Sequence, residues 1–156
     1  MISYIFFIIL LLFSVLLSIR ISIYDYRHRI IPDAYLFPLM MIGLILLGFY
    51  NFPFDIITGI IGATFGYITS ATLGFIFDRA LQRRDKNSDT PIGMGDIKLI
   101  SVGGLWLGTT GLAVALIISG ITGAIWARKQ NQKFIPFAPF FIFGGFLSFI
   151  INLFLL

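Results

Sequence analysis

The chain has 156 residues, 58% hydrophobic and only 12% charged, and its mean hydropathy of +0.99 describes more apolar surface than one soluble domain can cover. Six spanning helices at about 20 residues each take about 120 residues, which excludes a nucleotide-binding fold, a receptor domain or a second soluble enzyme domain. There is no cysteine and a single histidine, His28, so disulfides, thiol nucleophiles, iron–sulfur clusters and thiolate zinc sites are excluded, and no metal or cofactor is expected.

The net charge is +4, but in a membrane chain the placement of the basic residues says more than their sum. Arg20, Arg27 and Arg29 surround the first polar break, Arg79, Arg83, Arg84, Lys86 and Lys98 the third, and Arg128, Lys129 and Lys133 the fifth. The breaks near Tyr50–Pro53 and Gly108–Gly111 carry none. This alternation predicts an all-α integral membrane protein with six transmembrane helices, basic loops in the cytoplasm and both termini outside. It assigns the basic residues to topology rather than to a nucleic-acid partner.

In chain order, Ile2–Tyr24 is apolar and long enough to span, without the basic n-region of a cleavable signal. The polar run Asp25–Arg29 breaks it. Pro32 blocks helix continuation and Asp33 is placed to cap a second helix over about Ala34–Phe49. Asn51-Phe52-Pro53 makes a turn, and Asp55 starts a third helix that runs through Gly59, Gly62, Gly66 and Gly74 to about Phe77. Glycines at that spacing permit close helix contact. Asp78–Pro91 is the only substantial hydrophilic stretch and is expected to be a mobile loop. Beyond Gly93, Ile97–Gly108 is short for a full span at about 1.5 Å per residue, so the fourth helix is expected to be tilted or partly re-entrant. A fifth covers about Thr110–Ala127, and a sixth runs from near Ile135-Pro136 to Leu156. Gly103 and Gly104, with the glycines of the third helix, predict a tightly packed helix pair. Residues 1–156 read as one membrane-embedded domain.

The seven acidic residues are all aspartate: Asp25, Asp33, Asp55, Asp78, Asp85, Asp89 and Asp96. Asp25 and Asp96 stand apart, because each lies at the cytoplasmic edge of long apolar sequence, where an ionised carboxylate is costly unless paired or hydrated. If their helices are neighbours the carboxyls converge, and two such groups within a few Å share a proton. That arrangement serves peptide hydrolysis: one carboxylate takes a proton from water while its protonated partner hydrogen-bonds the scissile carbonyl. Asp96 also closes the run Gly93-Met94-Gly95-Asp96, whose glycines allow unusual backbone angles and close substrate approach. A plain turn opening a helix, with Asp96 as a first-turn carboxylate favoured by the helix dipole, accounts for the same residues.

Three blocks together resemble the bacterial type IV prepilin peptidases, a family of GxGD intramembrane aspartic peptidases. Asp25 with Ile31-Pro32-Asp33, Phe37-Pro38-Leu39 and Ile42-Gly43-Leu44 is similar to the family's first catalytic region. Gly93-Met94-Gly95-Asp96-Ile97-Lys98-Leu99, continuing to Trp106-Leu107-Gly108, resembles its GxGD region, and Ile135-Pro136-Phe137-Ala138-Pro139-Phe140 with Gly144-Gly145 its last loop and helix. The resemblance implies a six-helix inner-membrane peptidase that removes the leader from prepilins or pseudopilins of type IV pilus or type II secretion systems at the cytoplasmic face. Asp25 and Asp96 map onto the catalytic pair, with Gly93, Met94, Gly95, Pro32 and Lys98 as motif support. It implies no metal for hydrolysis. Many members carry an N-terminal four-cysteine zinc region and methylate the new N-terminus; this chain starts at its first helix, so it is expected to be a short form without methyltransferase activity. Presenilin-like proteases share GxGD and a Tyr-Asp pair like Tyr24-Asp25, but need nine spans.

Other residues carry plainer readings. Lys98 follows Asp96 by two positions and reads as a headgroup or topology anchor. Arg27, His28 and Arg29 either orient Asp25 or serve as anchors, and Asp78, Asp85 and Asp89 read as solvated loop charges. Trp106, Trp126 and many of the 18 phenylalanines fit interfacial belts and packing. Substrate helices and the bilayer are the expected partners, the substrate's apolar segment entering laterally. Rival functions are a small proton or ion conductor using intramembrane aspartates and a catalytically silent pilin-assembly factor.

Overall fold

The computed structural model describes residues 2–83, 92–131 and 135–155, and these form helices and short connections. They are α1 (Ile2–His28), α2 (Asp33–Tyr50), α3 (Ile56–Gln82), α4 (Met94–Gln130) and α5 (Phe137–Leu155). The first four are long and apolar enough to cross a membrane, and Phe137–Asn152 within α5 is a shorter apolar helix. Large apolar side chains face outward along them: Ile5, Phe6 and Leu12 on α1, and Ile57, Ile61 and Phe65 on α3, are exposed. Water would penalise such a surface and lipid would not. The protein is a multi-pass membrane protein.

α1 runs four residues past the expected boundary at Tyr24, so Asp25, Tyr26, Arg27 and His28 belong to it. The buried stripe Ser14, Leu17, Ile21 and Asp25 keeps helical spacing through the polar run. The turn comes at Arg29, with φ 56°, whose amide donates to the Asp25 carbonyl at 2.9 Å.

Asp33 is not a cap. Pro32 holds the N-cap position of α2 in extended geometry without a side-chain bond, its carbonyl accepting from Tyr35 and Leu36, and Asp33 is the first helical residue with its carboxylate directed elsewhere. Asp55 does cap α3, accepting the Thr58 amide at 3.2 Å and the Thr58 hydroxyl at 2.6 Å. α3 continues to Gln82, so Asp78 and Arg79 are helical, and the Arg79 guanidinium lies 4.6 Å from the Phe75 ring centroid. Arg84, Asp85, Lys86, Asp89 and Lys133, with the expected mobile loop beyond Arg83, lie outside the described residues.

The two helices expected over Ile97–Ala127 are the two arms of α4, which meet at Gly108 with φ 65° and ψ −177°, a region almost reserved for glycine. The chain folds back there. A Cβ on Gly95, near the start of α4, would lie 3.0 Å from Ile31 just beyond the end of α1, and Trp126, near the end of α4, meets Tyr26 of α1 at a centroid distance of 6.3 Å. Both ends of α4 therefore sit beside the same end of α1, while Gly108 lies near Phe54 and Thr58.

The predicted glycine packing is present. The buried face of α3 is Gly59, Gly62, Gly66 and Ser70, and a Cβ on Gly62 or Gly104 would strike the other's carbonyl oxygen. Ser101 donates across this contact to the Ala63 carbonyl at 3.0 Å. Gly103 serves a different neighbour, because a Cβ there would come 2.5 Å from Phe141 of α5. Farther along, Ser148 of α5 donates to the Gly111 carbonyl at 2.8 Å. The core is thus built on α4, whose first arm lies between α3 and α5.

Candidate active site

Asp25 occupies the last turn of α1 and is 4% exposed. Its Oδ2 accepts the backbone N–H of Ala138 at 2.8 Å, so a carboxylate from the first helix satisfies one of the orphan amides that open the last. Pro136 is fully buried just before α5 and Ala138 is buried in its first turn. A negative group at a helix N-terminus is favoured by the dipole as well as by the bond. The sequence reading placed Ile135–Phe140 in a resembling block but gave it no contact with Asp25. The available signal was Pro136 before an apolar run, a helix-start signature; its partner, more than a hundred residues away, had none.

Asp96 is the third residue of α4, partly buried, and its Oδ2 accepts the Gly93 N–H at 3.3 Å. The plain first-turn role is therefore real. It occupies little of a carboxylate's capacity of about four lone-pair sites. Asp96 follows Gly95, which packs against Ile31 just beyond the end of α1, and Asp25 precedes Tyr26, which meets Trp126 from the far end of α4. Helices α1 and α4 thus bring the two aspartates to the same end of the molecule, beside the first turn of α5.

The motif glycines work differently from expectation. Gly93 has φ −72° and ψ 151°, open to any residue, and Gly108 is the only glycine with positive φ among the described residues. Gly95 is required for space, since Ile31 lies against its Cα face. Met94 is 66% exposed. Pro32 opens α2. Lys98, expected as an anchor, has its ammonium 2.9 and 2.7 Å from the two carboxylate oxygens of Asp33. Trp106 is a packing residue, its indole N–H donating to the Leu39 carbonyl at 3.2 Å. Trp126 packs edge-on against Tyr26 and at a tilt against Phe140 beside the site.

Away from the aspartates, an apolar cavity of about 310 Å³ opens between α1, α4 and α5, with Ser14, Ser18, Leu99, Val102, Trp106 and Phe141 in its wall. Leu99 stands one helical turn from Asp96, and Ser18 two turns from Asp25. Among the described residues no three His, Cys, Asp or Glu side chains cluster as a metal site requires.

The sequence model of the type IV leader peptidase family matches residues 4–128. Curated relatives include the prepilin leader peptidase/N-methyltransferase of Xanthomonas campestris, 30% identical over 132 residues that cover 80% of this chain and 44% of that protein. The proteins of the same name from Pseudomonas aeruginosa and Aeromonas salmonicida are 29% and 31% identical, each alignment covering 83% of this chain and 45% of the relative. The chain spans less than half the length of these relatives. No solved structure matches it.

Proposed function

Since the chain belongs to the type IV leader peptidase family, we propose that it is an intramembrane aspartic endopeptidase that removes the leader from type IV prepilins or pseudopilins, with Asp25 and Asp96 as its catalytic pair. The observation that carries this reading is the convergence of the two aspartates at one end of the bundle, with Asp25 buried and held by the start of α5. In the proposed reaction the pair shares one proton. The ionised carboxylate takes a proton from water as the water oxygen bonds to the scissile carbonyl carbon, and the protonated carboxyl hydrogen-bonds the carbonyl oxygen. When the C–N bond breaks, a carboxyl proton passes to the departing amine. Low-dielectric walls strengthen these interactions relative to water.

The apolar cavity supports a substrate whose segment beyond the cleavage point is an apolar helix entering sideways between α1 and α5. The alternation of basic breaks supports a site at the cytoplasmic face of the inner membrane, with six spans counted by taking the two arms of α4 separately and both termini outside. Methyl transfer is not part of this proposal.

The test is cleavage of a purified prepilin in liposomes by wild type, Asp25→Asn and Asp96→Asn, with product mass measured. Leader-sized loss with wild type alone is expected. Tight binding of uncut prepilin by folded wild type would replace the peptidase with a silent assembly factor, and proton flux without cleavage would replace it with a conductor.

A further inference from the structure

We propose that the Asp33–Lys98 ion pair is a positioning clamp that sets where Asp96 stands relative to Asp25; the inference rests on the peptidase reading above. Lys98 is two residues beyond Asp96 on α4, and its Nζ lies 2.7 and 2.9 Å from the carboxylate oxygens of Asp33, the first residue of α2. Pro32 takes the N-cap position of α2, which leaves that carboxylate available to α4. A second contact reinforces the first. Gly95 packs against Ile31, where an added Cβ would lie 3.0 Å from the Ile31 Cβ, so the Ile31–Asp33 corner lies flat on the opening turn of α4.

The consequence is a closed ring. Asp25 is joined to Asp33 by the short α1–α2 connection, which reverses at Arg29. Asp33 is joined to Lys98 through the ion pair, and Lys98 to Asp96 through one residue. On its other side the start of α4 meets α3, where Gly74 faces Ile97. Without the ion pair, the opening turn of α4 would keep only its packing against Ile31 and α3.

The exposure of the pair limits what it contributes to stability. Lys98 and Asp33 side chains are 42% and 49% exposed, and pairs in such surroundings add little to global stability. A weak bond still fixes geometry when it closes a short loop, and a displacement of about 1 Å at a catalytic group costs up to about a hundredfold in rate.

The test is a double-mutant cycle on prepilin cleavage with Asp33→Asn, Lys98→Met and the double variant, in liposomes at low and high salt. Each single variant is expected to lose about tenfold in kcat with KM within about twofold, and the double variant to lose no more than the worse single, because the two substitutions remove one interaction. Asp33→Glu is expected to recover part of the rate. A second readout needs no activity. The amides of Asp96 and Ile97 donate to the Gly93 carbonyl at 3.1 and 3.2 Å, and their hydrogen exchange reports how firmly the opening turn of α4 is held without any substrate. Lys98→Met is expected to speed that exchange several-fold. Additive losses in the cycle, wild-type kcat in either single variant, or exchange indifferent to Lys98→Met would each overturn the clamp. Absence of cleavage by wild type would overturn the peptidase reading instead, and hydrogen exchange would still test the clamp.

Discussion

Asp25 holds the Ala138 amide in this structure and a catalytic carboxyl in the proposed reaction, and the two roles separate by substitution. Asp25→Ala removes both the carboxyl and the acceptor of the buried 2.8 Å bond from Ala138, whereas Asp25→Asn removes the ionisable group and keeps an oxygen in place. An orphaned buried amide costs about 1–3 kcal/mol, and for a chain of this size about 2–4 °C of Tm accompanies each kcal/mol. At the middle of that range the alanine variant melts about 4–8 °C below the asparagine variant. Thermal unfolding in one detergent, followed by tryptophan fluorescence, to which Trp126 contributes from a position 5.8 Å from Phe140 at the start of α5, measures the difference. Both variants are expected to be inactive in prepilin cleavage. Equal melting of the two would refute the view that Asp25 holds α5, and cleavage by Asp25→Asn would refute its place in the catalytic pair.

The glycines make opposite predictions at different positions. Gly108→Ala places a Cβ in a backbone region nearly closed to it, although neighbouring atoms stand off at 3.4 Å or more, and should cost about 1–3 kcal/mol; a melting temperature unchanged from wild type would remove the conformational argument. Gly120 is helical with nothing within 4 Å of an added Cβ, so Gly120→Ala should stabilise by about 0.5–1 kcal/mol, read in the same melts. Gly104→Ala drives a methyl into the Gly62 carbonyl, a backbone atom that cannot swing aside, and should cost about 1–3 kcal/mol together with loss of cleavage, since α4 carries Asp96. Asp55 is held below the usual carboxylate range by the Thr58 hydroxyl and then the Thr58 amide. Its capping contribution is therefore complete above the unfolded value of about 3.9 and is lost as pH falls through the lower folded value. Asp55→Ala should lower stability at neutral pH and flatten its decline at the acid end, as acid titration of both proteins would show.

What the sequence made legible follows local physics. Asp55 before an apolar run announced the start of a helix, and the break at Gly108 showed as the end of a short apolar stretch. The spacing of Gly59, Gly62 and Gly66 announced the face that α4 uses. Asp25–His28 was misjudged because polarity at a membrane edge reads as a loop, while the stripe from Ser14 through Leu17 and Ile21 continues to Asp25. Asp33 was expected as the cap, but Pro32 takes the N-cap position and the carboxylate meets Lys98 instead. The bond from Ala138 to Asp25 and the packing of Ile31 on Gly95 join distant segments, and no periodicity encodes such pairs. Even the motif glycine that sequence reasoning valued for backbone freedom is needed at Gly95 for clearance alone.

The fold-back at Gly108 also makes the protein sensitive to its solvent. The arm from Met94 to Leu107 has fourteen residues, about 21 Å at 1.5 Å per residue, against a hydrocarbon thickness of about 30 Å. α3 and α5 flank this arm, so a mismatch with the bilayer reaches it through those helices, at a cost of fractions of a kcal/mol per Å. Because the arm carries Asp96, the spacing of the two carboxyls is expected to respond to membrane thickness as well as to protein contacts, and cleavage in short-chain lipid to outpace cleavage in long-chain lipid.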